Sequence, residues 1–93
     1  MIAHSWKFSN DYLAALLYLE GCRTVSAIDA FCRSNWIDLN ARGMGLGSMA
    51  MRVKNIEAIG TGKGLTNFAQ QTMEVWTACN GLSASEIRSR AGI

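Results

Sequence analysis

Between Asp11 and Glu20 the chain carries an unbroken apolar run, Tyr12 to Leu19. The run is far too short to span a bilayer, which takes about 20 apolar residues. Leu13, Leu16 and Leu17 stand at i, i+3 and i+4, the spacing of one face of a helix. Tyr12 and Leu19 flank that stripe, so the helix is apolar nearly all round. Such a helix belongs in the middle of a core. Ser9 or Asn10 offers a cap, Asp11 suits the positive helix start, and Gly21 suits the left-handed position after the end. The expected helix runs from Asn10 to Glu20.

The rest of the chain must wrap this element, and its punctuation favours helices. There is no Pro to break one, and nine Gly residues mark the ends. Thr24 caps an expected second helix, Val25 to Arg33 or Ser34, with Ala27, Ile28, Phe31 and Cys32 inward. Asn35 to Gly47 reads as a long connection holding Trp36-Ile37 and a Gly-rich second half. Ser48 caps an expected third helix, Met49 to about Ala58, which Gly60 ends. A fourth starts at Thr66 or Asn67 and reaches Cys79, with Gly81 as its stop. Ser83 and Glu86 form a capping box for a short last helix, Ala84 to about Arg90. Leu16, Phe31, Ile56 and Trp76 are expected in one core. The fold class is all-α: a compact bundle of four to five helices, helix-turn-helix-like, in one domain over residues 1–93.

Composition narrows function mainly by exclusion. His4 is the only His, and Cys22, Cys32 and Cys79 lack the paired spacing of a zinc site or disulfide framework. No metal site, cofactor or catalytic constellation is expected, so the chain reads as a non-enzyme. The GMGLG run at Gly43 to Gly47 fits neither phosphate-loop pattern. No basic segment precedes an apolar run at the N-terminus, and a cytoplasmic location with no membrane partner is expected. Net charge is only +2. The stretch from Leu39 to Met73 nevertheless holds Arg42, Arg52, Lys54 and Lys63 against Glu57 alone, a local +3.

Gly47-Ser48-Met49-Ala50-Met51-Arg52-Val53-Lys54-Asn55-Ile56 resembles a Ser-x-Ala-Met-(Lys/Arg)-x-x-Asn stretch. That stretch lies in the N-terminal helical region of restriction-type endonucleases, those with an HNH nuclease domain above all. Gly64-Leu65-Thr66-Asn67 and Trp76 fill the places of the Gly-Leu-(Ser/Thr)-Asn motif and the Trp that follow there. The resemblance spans about residues 9 to 79 and is specific only from Ser48 to Trp76. It implies a DNA-reading module without the nuclease, since one His cannot make an HNH site.

Under that resemblance the third helix would enter the major groove. Ser48 and the free amides at the helix start would bind a phosphate. Arg52 would reach guanine and Asn55 adenine. Arg42, Lys54 and Lys63 would contact backbone phosphates. Each has a plainer reading: Ser48 as a helix cap, Asn55 as a bond to a neighbouring loop, Met49, Met51 and Trp76 as core. The expected partner is double-stranded DNA. The alternative is a phage-encoded inhibitor, of anti-CRISPR or anti-restriction type, that binds a host nucleoprotein defence complex. The first predicts a continuous basic face. The second predicts an exposed apolar or mixed patch with scattered cations, and Trp36 is its candidate anchor. Either is compatible with a homodimer.

Overall fold

The apolar run becomes the axis of the molecule. In the computed structural model, which describes residues 8–61 and 70–93, α1 spans Phe8–Leu19. Every residue from Asn10 to Leu17 is buried. Helix α3 (Leu46–Thr61), α4 (Gln70–Cys79) and α5 (Ala84–Arg90) all pack against it. Helix α2 (Val25–Ser34) lies on the outside of the bundle, with α3 as its main neighbour. The protein is an all-α bundle, and no strand occurs among the described residues.

Burial patterns follow these positions. Helix α1 is enclosed on all sides, as an all-round apolar helix must be. Helix α2 buries only Ile28 and Cys32, one turn apart, and leaves Arg33 and Asp29 exposed as a 3.0 Å ion pair. Helix α3 turns Met49, Ala50, Val53, Asn55 and Ile56 inward. Leu16 and Ile56 are fully buried, and the half-buried Phe31 and Trp76 pack on the same core. Trp76 meets Tyr18 edge to face, with centroids 5.4 Å apart.

Two caps form where the sequence places them. Thr24 Oγ1 accepts the Ala27 amide at 3.1 Å. Ser83 Oγ accepts the Glu86 amide, and Glu86 Oε1 accepts the Ser83 amide, at 3.1 and 2.9 Å. The ends of α1 and α3 differ from expectation. Helix α1 begins at Phe8, two residues early, so Asn10 and Asp11 lie inside it and are buried. Helix α3 begins at Leu46, its first bond running from the Met49 amide to the Gly45 carbonyl. Ser48 is therefore in the first turn of α3 and does not cap it. Gly60 does not end α3 either, because the helix runs through it to Thr61. A Cβ at Gly60 would stand 3.3 Å from Trp76 Cζ2, so glycine there serves close packing. A 3₁₀ turn, Asn40–Arg42, fills part of the α2–α3 connection. Lys63 and the expected helix start at Thr66 or Asn67 lie outside the described residues.

Candidate binding surface

Three of the sequence-selected residues, Ser48, Arg52 and Asn55, line one groove along the start of α3. Gly43, Met44, Gly47 and Met51 complete its walls, and it encloses about 600 Å³. Lys54 lies on a second groove, of about 390 Å³, with Arg23, Thr24, Val25 and Met51. Met51 borders both grooves and is 57% exposed, which corrects its plainer reading as a core residue. Arg42 is elsewhere: its guanidinium donates to Asn10 Oδ1 and to the Gly92 carbonyl, both at 3.3 Å, and so ties down the C-terminus.

Arg52 is largely engaged in the interior. It pairs with Asp11 at 3.6 Å and donates to Thr72 Oγ1 at 2.8 Å. Thr72 in turn donates to Asp11 Oδ1 at 3.0 Å, and Gln71 Nε2 donates to Asp11 Oδ2 at 2.6 Å. Asp11 is fully buried. A carboxylate removed from water needs a cation and several donors, and this cluster supplies them from α3 and α4. Gln71 and Thr72 are site residues that no sequence motif marks. Their signal was indirect: an acid at the edge of an all-round apolar helix has to find its partners on neighbouring helices.

The other described arginines have partners too. Arg23 bridges to Glu57 at 3.3 Å and lies over the Tyr18 ring. Arg88 donates to Asn35 Oδ1, and Arg90 donates to the Tyr12 hydroxyl and lies over its ring. The described arginines are thus distributed around the molecule, each beside an acid, amide, carbonyl, hydroxyl or aromatic group.

The sharpest departure from ordinary structure is at the end of α2. The Ile37 amide bonds to the Cys32 carbonyl at 2.9 Å, and the Trp36 amide reaches the Arg33 carbonyl at 3.5 Å. This is the Schellman pattern, which puts the residue after the helix in the left-handed region. That residue is Trp36, at φ 59°. It is the only non-glycine at positive φ among the described residues. A bulky side chain there is strained by about 1–2 kcal/mol. Its ring gains nothing from packing inside the fold, since Trp36 is 95% exposed.

Burial pushes the thiols of Cys22, Cys32 and Cys79 above the ordinary cysteine value, away from the nucleophilic thiolate. Among the described residues no cluster of three His, Cys, Asp or Glu is placed to hold a metal ion. No helix among them is long and apolar enough to cross a membrane. Comparison with known protein families, curated proteins and solved structures gives no match.

Proposed function

We propose that the protein is a non-catalytic binding module that docks on another protein, with Trp36 as the anchor of the contact. The observation that carries this reading is the strained, exposed Trp36. A local conformation that costs free energy persists when something outside the local structure uses it. Tryptophan is also the residue type most enriched among the few that dominate interface energies.

The cations support a protein partner over duplex DNA. DNA affinity comes from several Lys and Arg side chains arrayed along the phosphates. Here Arg52 is 18% exposed at its side chain and held by buried Asp11, while Arg42 holds the C-terminus. The exposed face of α3 offers Lys54 beside Met51, a mixed patch. A docking inhibitor of a larger protein complex is one member of this class.

The test uses Trp36→Gly, which suits the local backbone and leaves the fold intact. Proteins captured by the wild type and not by the variant are purified and titrated directly. The expected loss of affinity is about 30-fold or more, the effect of removing a 2 kcal/mol anchor. Titration of labelled duplex DNA at two salt concentrations supplies the opposing outcome. Tight, salt-sensitive duplex binding that Trp36→Gly leaves unchanged would replace the protein reading with the DNA one.

A further inference from the structure

We propose that the groove at the start of α3 is a binding site for a phosphomonoester, independent of the protein contact at Trp36. The phosphate sits on the amides of Leu46, Gly47 and Ser48, and the body of the ligand reaches Asn55. Two separate observations meet there.

The first is an open helix start. The amides of Leu46, Gly47 and Ser48 precede the first helical bond, so they have no partner within α3. At the starts of α2 and α5, the side chains of Thr24 and Ser83 accept such an amide. At α3 the capping position is Gly45, which has no side chain to offer. Neither Gly45 nor Gly47 has a positive φ, and a Cβ at either would meet nothing within 4 Å. Backbone conformation and internal packing therefore both permit a larger residue at these positions. Glycines that weaken a helix start without an internal reason leave its amides open to close approach from outside.

The second observation is Asn55. It lines the same groove and is 91% buried, yet among the described residues its side-chain amide has no hydrogen-bond partner. A buried amide normally has one. The groove supplies the space for a ligand group to provide it. Asn55 stands eight residues along α3 from Gly47, about 12 Å at the helical rise. That is the span of a mononucleotide-sized molecule and more than a bare oxyanion covers. Between these ends, Met51 provides an apolar wall and Ser48 an exposed hydroxyl. Arg52 also borders the groove, its charge already balanced by the fully buried Asp11, so it adds no free cation to the site.

Nuclear magnetic resonance of the full chain at low ionic strength tests the site, with inorganic phosphate and 5′-AMP as probes. Both should shift the Leu46, Gly47 and Ser48 amides saturably. AMP should also shift the Asn55 side-chain amide and bind about tenfold tighter or more. Ser48→Asp places a carboxylate at the helix start and should abolish both responses. Asn55→Leu should keep the phosphate response and lose the advantage of AMP. Trp36→Gly should change neither, which separates this site from the protein-docking reading. Shifts that never saturate or that scatter over all the arginines would overturn the proposal. So would AMP binding no tighter than phosphate, or a response that survives Ser48→Asp.

Discussion

Helices α1 and α2 end in the same backbone motif with opposite side chains. After α1, the Cys22 amide bonds to the Leu17 carbonyl at 2.8 Å and Gly21 stands at φ 82°. After α2, the Ile37 amide bonds to the Cys32 carbonyl at 2.9 Å and Trp36 stands at φ 59°. Gly92 after α5 and Gly43 after the 3₁₀ turn repeat the glycine version, at φ 81° and 78°. In three of these ends the sequence matches what the backbone requires. In the fourth it conflicts, and the conflicting residue is the most exposed large apolar side chain described. Agreement across levels is what folding selects, so a local violation with no internal compensation points to a use outside the fold.

Asp11 is held inside the fold, whereas the role proposed for Trp36 lies outside it, so the two should fail differently. Asp11→Ala should give the largest effect, a loss of about 3–5 kcal/mol in unfolding free energy, because it leaves the half-buried Arg52 without its anion. Chemical denaturation measures it directly. A loss below about 1 kcal/mol would mean that Arg52 relaxes into water easily. Arg52 would then be available to an external partner, and the division between interior and surface cations would fail.

The two helix ends should respond with opposite signs. Gly21→Ala forces a Cβ into the left-handed region and should destabilise by about 1–2 kcal/mol. Trp36→Gly removes that strain without losing packing and should stabilise by about 1 kcal/mol. Paired melting curves of the two variants decide it. If Trp36→Gly destabilises, the ring contributes to the fold, and the argument from strain to function is lost.

The pattern of what was legible in the sequence follows the range of the interactions involved. Thr24, Ser83 and Glu86 act within one turn, so their caps could be read from spacing. The central place of α1 was legible because no other position can bury an element apolar all round. Long-range effects were not legible. Asp11 looked like a residue chosen for the helix dipole, while its partners come from residues 41 and more positions away, Arg52, Gln71 and Thr72. Gly60 looked like a stop because the Trp76 ring that explains it belongs to another helix. Ser48 reads as a cap because the local rule favours Ser over Gly, whereas Gly45 holds the capping position of α3. At the candidate site, residue types drew attention to Ser48, Arg52 and Asn55. Only the fold separates the interior role of Arg52 from the open amides and unpaired Asn55 beside it.

The smallest expected effect is at the start of α5, where an end that obeys the local rule can be switched off by pH. Glu86 is fully exposed, yet its carboxyl is held below the ordinary carboxylate value. The Ser83 amide it accepts is the main cause, with the Ser83 side chain and Arg90 adding to it. A carboxylate whose folded value is depressed stabilises above its unfolded value and loses that contribution as pH falls through the folded one. The capping box should therefore be intact at neutral pH and weaken in the acid range below the ordinary glutamate value. Melting temperatures of wild type and Glu86→Gln, taken at neutral and acid pH, isolate this contribution. The wild type should show a slightly larger acid loss than the variant, since a neutral amide keeps the hydrogen bond and does not titrate. Equal losses would mean that the α5 start is frayed in solution. Hydrogen bonding at an exposed helix end would then be too weak a guide to build on, and the contrast between Gly21 and Trp36 would rest on stereochemistry alone.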